Sequence, residues 1–338
     1  MERADFKDFE RMAGVPLRDL ISEDARQVRA TQTRLVEKSV ILNEIQKLHF
    51  GYGFPLFVYT HSFELFEPVA SHQREVDETI LAISMGDSLR RRHMALSHAI
   101  VPKVVDDLYE TLGLSLTVKN LGSGVGLDTL HAAVKADGKV ARVINYDTDH
   151  AAVDLGEKTV KYLEAEGYLK TDTVNYFRKS LTKSVETADL IIQIGVICGL
   201  HDPVAQMLIA GDYKQLNEGG KLIISSSNEE MRDRDPLGSF LIQHIGTRED
   251  AKKGWGLNFR KRETLFQLLS NAGFSDIRIY DDSNYPGKED LPEEVLYGVE
   301  TLPSQALGHD HNGKPIRLPP KDVLNQNIGY NWIAVATK

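Results

Sequence analysis

Intrachain disulfides are excluded from this chain of 338 residues, because it holds one cysteine, Cys198, and a reducing compartment suits that composition. Long apolar runs are also missing. The longest, Leu190 to Leu200, reaches about half of the ~20 residues that span a bilayer and is interrupted by Gln193, so it reads as a buried strand. The opening Met1-Glu2-Arg3-Ala4-Asp5-Phe6-Lys7-Asp8 carries no apolar core of the kind a secretory signal needs. The expected location is the cytoplasm, with no membrane partner. Positive charge is in deficit, 40 Lys and Arg against 49 Asp and Glu, a net charge of −9. Nucleic-acid binding is driven largely by phosphate neutralisation, so this balance argues against such a partner. Repeats, low-complexity tracts and zinc-like ligand spacings are absent too; His309-Asp310-His311 reads as a solvated loop, and no metal is expected.

What is present is an ordinary globular composition, 41% hydrophobic and 26% charged, at a length that suits two domains or one with a large extension. The grammar changes near residue 113. Residues 1–113 read as helical with two breaks. Ser22 to Leu48 carries apolar residues at helical spacing. Gly51 to Pro55 interrupts, and the aromatics Tyr52, Phe54, Phe57, Tyr59, Phe63 and Phe66 read first as core and second as a substrate wall. A helix follows from about Asp87 to Ile100, on which Arg90-Arg91-Arg92 reads as a solvated face, or otherwise as an anchor for an acidic group. Pro102 opens another helix, with Val104, Val105, Leu108 and Leu112 on one side and Gly113 as its C-cap.

Residues 114–338 alternate strands with helices, which predicts a parallel α/β sheet. The strands are expected at Leu116 to Leu121, Val140 to Tyr146, Thr173 to Phe177, Ala188 to Val196, Lys221 to Ser225, Ile277 to Tyr280 and Asn331 to Thr337. Asp128 to Ala136 is expected as a helix, Asp149 caps the next, and Asp202-Pro203 opens a third that ends in Asn217-Glu218-Gly219-Gly220. Two stretches, about 226–260 and 282–330, lengthen the pattern and are where a substrate lid could arise.

The stretch that carries chemistry is Val118-Lys119-Asn120-Leu121-Gly122-Ser123-Gly124-Val125-Gly126-Leu127-Asp128. A strand running into alternating glycines and then a helix makes a turn that a ligand can approach closely, with helix N–H groups behind it. The spacing is GxGxG, and Leu127 stands where the dinucleotide fingerprint has its third glycine. The next strand ends in Asp147, whose carboxylate can accept both hydroxyls of a ribose.

These features resemble the class I S-adenosylmethionine-dependent methyltransferases. The resemblance is carried by Gly122-Ser123-Gly124-Val125-Gly126, by Ile144 to Asp149, by Asp189 to Val196, by Leu216 to Ser225 and by Leu268-Leu269-Ser270-Asn271-Ala272-Gly273-Phe274. It implies a Rossmann-like α/β fold of seven strands, mostly parallel with the last antiparallel, behind an N-terminal helical cap or dimerisation segment at 1–113. It implies S-adenosyl-L-methionine as cofactor, held by Asn120, Gly122, Ser123, Gly124, Gly126, Asp147 and Thr148, with Ser180 and Gln193 as further candidates. Two departures stand out. The family often has an acid where Asn120 offers a neutral carbonyl, and the acid often found after the third strand is replaced by Arg178-Lys179-Ser180.

Methyl transfer needs alignment and, for weakly acidic acceptors, a general base. His201, after the fourth strand, is the candidate catalytic residue; a capping role is the bland reading. His244 and Cys198 are read as packing residues. The expected activity is methyl transfer to a small molecule. The alternatives are a nicotinamide-dependent oxidoreductase and a cofactor-binding partner subunit without chemistry.

Overall fold

The computed structural model describes residues 6–47, 71–82, 84–136, 138–180, 186–245, 257–288 and 329–338. Its frame is one sheet built from β1 (Leu116–Leu121), β2 (Val140–Asp147), β3 (Val174–Arg178), β4 (Ala188–Gln193), β5 (Leu216–Asn228), β6 (Phe259–Arg260), β7 (Ser275–Asp281) and β8 (Asn331–Thr337). The order is β3-β2-β1-β4-β5-β8-β7, with β6 beside the far end of β5. β1 to β5 are parallel, and β8 runs antiparallel to both β5 and β7. The seven expected strands form the continuous path, and β6 is an addition. It is only two residues long and pairs Ser227 with Phe259 and Asn228 with Arg260.

Burial follows from the pleat. β4 is buried along its whole length because helices cover both faces of the sheet. Ile191, Leu222 and Ile224 pack against α9 (Asp202–Gln215) and α12 (Arg262–Asn271). Leu190, Ile192 and Ile223 point the other way, into a core shared with the N-terminal helices and α7 (Leu127–Lys135). α8 (His150–Ala165) connects β2 to β3. In the crossover after β5 lie α10 (Met231–Arg234) and α11 (Pro236–Ile245).

Ahead of β1 come α1 (Phe6–Ala13), α2 (Ala25–Glu37), α3 (Val40–Lys47), α4 (Ser71–Ala82), α5 (Ser84–Met94) and α6 (Val101–Leu112). The single helix expected over Ser22 to Leu48 is two. Asp77 of α4 reaches the break, where it accepts from Ser39 Oγ, Val40 N (3.1 Å) and Ile41 N (3.2 Å). A carboxylate from another helix thereby satisfies the amides that start α3. Burial pushes that carboxyl up to about 6, although the hydrogen bonds oppose the shift.

The start expected at Pro102 is also different. α5 continues into α6 through a π-helical segment, Ala95–Ile100, flanked by helical backbone on both sides. Proline lacks an N–H and its ring collides with the carbonyl four residues back, and a local widening of the helix accommodates both defects. Among the described residues no helix is long and apolar enough to cross a membrane. The aromatics at 52–66 and His309-Asp310-His311 lie outside the described residues.

Candidate functional site

The glycine turn sits at the carboxyl edge of β1. Gly122, Gly124 and Gly126 have φ of +69°, +54° and +78°. At two of them space is as restrictive as conformation. A Cβ on Gly122 would lie 2.6 Å from Val196 Cγ2, and one on Gly126 would lie 2.9 Å from the Tyr176 hydroxyl. Tyr176 in turn donates to Val125 O at 2.7 Å, which holds the turn against β3. Gly126 is the N-cap of α7.

Asp147 ties β2 to this turn. One carboxylate oxygen accepts from Gly124 N at 2.6 Å, and the other accepts from Asp149 N at 2.8 Å. Burial raises its pKa, partly offset by these N–H groups. Asp149 caps α8 as expected, accepting from Ala151 N and Ala152 N. The structure therefore brings Gly122, Ser123, Gly124, Gly126 and Asp147 together, with Thr148 exposed beside them. Asn120 is buried beneath the turn and donates to Thr129 Oγ1 at 3.3 Å, so its amide supports the start of α7.

The remaining cofactor candidates belong to other strands. Ser180 follows β3, where Arg178 pairs back to Asp154 and Glu157 of α8. Gln193 requires a correction. Its side chain alternates with Ile192 onto the α9 face, is fully buried, and donates to Asp212 at 3.2 Å. It lies in the layer under α9 and does not join the turn. Asp212 is pushed up to about 8 by burial, opposed by Lys119 and by the Gln193 hydrogen bond.

Reasoning from sequence missed the other half of the edge. Arg90, Arg91 and Arg92 are not a solvated face; they are 4%, 5% and 6% exposed. Arg92 donates to Asn331 Oδ1 at 3.1 Å, and its guanidinium nitrogens lie 3.8 and 3.9 Å from the Cβ position of Gly195, just after β4. His93 is 1% exposed and places Nδ1 2.6 Å from Asp128 Oδ1 in the first turn of α7. Beside them Asp282 accepts from Ser88 Oγ, from Tyr330 N at 3.0 Å and from the Asn331 amide at 2.9 Å. Burial lifts Asp282 to about 6, opposed first by the charge of Arg91. The only sequence signal was three arginines and a histidine between the apolar Leu89 and Met94. Their partners come from far along the chain, so periodicity could not reveal them.

His201 stands exposed at the N-cap position of α9, with Nδ1 3.1 Å from Asn258 Oδ1. Cys198 is half-buried, and its thiol donates to Gly195 O at 3.0 Å. Burial raises that thiol, against the charges of Arg92 and Arg260. His244 packs its ring 4.4 Å from Phe240, and burial lowers its pKa. Among the described residues no group of three or more His, Cys, Asp or Glu could hold a metal.

No family model matches the chain, and no curated protein matches it. Solved structures do. A possible exported protein from Bordetella parapertussis aligns over 99% of this chain and 97% of its own, at 18% identity and a TM-score of 0.55. Magnesium protoporphyrin IX methyltransferase from Synechocystis, with bound S-adenosylmethionine, aligns over 89% of this chain and 97% of its own, at 13% identity and a TM-score of 0.46. The first likeness is one of fold, and the topology says which. With this strand order, an antiparallel β8 and a glycine turn feeding a helix, the chain carries the fold of the class I S-adenosylmethionine-dependent methyltransferases.

Proposed function

We propose that the chain binds S-adenosylmethionine and catalyses transfer of its methyl group to a small molecule. The observation that carries this reading is the wiring of Asp147 to Gly124 N at the carboxyl edge. The residues present fit the cofactor. Each Asp147 oxygen holds one backbone N–H, and a carboxylate offers about four acceptor sites, which leaves capacity for both ribose hydroxyls. Backbone without Cβ atoms at Gly122, Gly124 and Gly126 lets a ligand lie close to the turn. When bound, the cofactor supplies a methyl group already activated on a sulfonium.

The chain's own contribution is then alignment and exclusion of water. We assign the base to His201. The Asn258 side chain orients its ring through Nδ1, and a proton held there makes Nε2 the basic nitrogen. Residues 1–113 act as the cap, with 114–338 as the cofactor-binding domain. In favour of a cap over a homodimerisation arm, α5 contacts Asp128 on one side and Asn331 on the other. Calorimetry and thermal melts with S-adenosylmethionine, S-adenosylhomocysteine and NAD test the reading. The two sulfur compounds should bind and raise the melting temperature by mass action. Stabilisation by NAD alone would overturn it.

A further inference from the structure

Resting on the assignment of the base to His201, we propose that Arg260 is the residue that positions it, with β6 acting as a clasp on the turn that carries the histidine. After β4 the chain makes one 3₁₀ turn, Ile197–Gly199, and enters α9 at His201. So short an element leaves carbonyl lone pairs for donors from elsewhere. Arg260 supplies them. Its Nη1 donates to Ile197 O at 2.8 Å and to Ser226 Oγ at 3.3 Å, and its Nη2 donates to Leu200 O. Its Nε donates to the Asp202 carboxylate at 2.8 Å. The residues on both sides of His201 are thereby bonded to one rigid guanidinium.

The clasp also reaches the imidazole. Asn258, two residues ahead of Arg260, donates its N–H to Cys198 O at 2.6 Å and holds its Oδ1 3.1 Å from His201 Nδ1. Arg260 is itself seated firmly. It is 2% exposed, pairs with Asn228 of β5, and its carbonyl accepts from Trp332 Nε1 at 3.0 Å and from Glu229 N at 3.1 Å. Arginine suits this task because its N–H donors lie in one plane and its charge is permanent; a lysine point charge would serve fewer of the acceptors. A buried guanidinium needs a counter-charge, and Asp202 provides it from the first turn of α9, where the helix dipole also favours an anion. The stretch about 226–260, where a lid was expected, thus contributes a brace for the turn.

The test is spectroscopic and needs no acceptor. The full chain is labelled with ¹⁵N in its histidine rings and studied at a pH where imidazoles are neutral, with the His201 signals assigned through His201→Gln. The unaltered protein should show a protonated Nδ1 and a bare Nε2 on His201. Arg260→Met should blend these into averaged signals and speed amide exchange at Leu200 roughly 10-fold. His150, exposed at the start of α8, should keep its spectrum. Arg260→Lys keeps the charge and loses the fork, and should restore part of the His201 signature; it decides the matter if the Met variant does not fold. Unchanged His201 signals in a folded Arg260→Met protein overturn the proposal, as does an equal change at His150, which marks a general loss of structure. A ring protonated on Nε2 in the unaltered protein defeats the base assignment itself and this proposal with it. A fixed Nδ1–H that ignores Arg260 defeats this proposal alone.

Discussion

The two halves of the carboxyl edge are built by different means. On the β1–β2 side the key contact joins Gly124 to Asp147, 23 residues apart in sequence. On the β4–β8 side Arg92 meets Asn331 across 239 residues, and Ser88 meets Asp282 across 194. The first half is one strand–turn–helix–strand unit that can form early and nearly alone. The second half exists only once the N-terminal helices and the last two strands are in place, because long loops must close before such contacts form. A cofactor bound across both would link the completeness of the fold to the completeness of the site.

Removing residues 1–113 tests that dependence most severely. α6 buries Val101, Val104, Val105 and Leu108 in the shared core. At ~1.5–3 kcal/mol per buried side chain the loss is on the order of 10 kcal/mol, as large as the whole stability of a typical domain. We expect a chain starting at 114 to lose its cooperative melt by circular dichroism. A truncated protein that melts as the full chain does would make the halves independent. Next in size is Asp147→Ala, which removes the ribose acceptors and the partner of Gly124 N. Cofactor affinity measured by calorimetry should fall by about 1.5–3 kcal/mol, while the fold persists because Asp147 ends its strand. Unchanged affinity would detach the local half from the site.

Gly122→Ala probes the seam itself. The left-handed backbone costs about 1–2 kcal/mol for a residue with a Cβ, and the contact with Val196 adds to it. The melting temperature should drop, and a silent substitution would mean the two strand ends are not pressed together. The last test is a pH dependence to which the non-local half contributes through Asp282. Asp282 has a folded pKa of about 6 against 3.8 for the unreacted carboxyl. The folded state thus binds the proton more tightly, and the stability contributed is full below about pH 4 and lost as pH rises through about 6. Urea melts across that window should show the decline, and Asp282→Asn should make it shallower, with the share of Asp77 remaining.

The same division explains what could be read from sequence. The bounds of β1 and β8 follow directly from Leu116 to Leu121 and Asn331 to Thr337, because an apolar run between polar or glycine punctuation is a local property. The glycine turn and the Asp149 cap were legible for the same reason. What could not be read depends on a partner brought from elsewhere. The break between α2 and α3 is set by Asp77 of another helix. Arg91 and Arg92 meet Asp282 and Asn331, residues beyond 280. Gln193 was a cofactor candidate by resemblance, but the pleat places it on the face that holds Asp212.

The π-helical segment Ala95–Ile100 has a consequence of a different kind. It behaves as a one-residue insertion absorbed inside a continuous helix, and each residue of an α-helix advances the phase by about 100°. Relaxing that segment to ordinary pitch with every residue kept would swing α5 by about that angle relative to α6. Helical content would barely change, yet Arg92 and His93 would leave the edge of the sheet. The azimuth of the arginines is therefore encoded downstream of them, by a defect that touches neither the glycine turn nor Asp147.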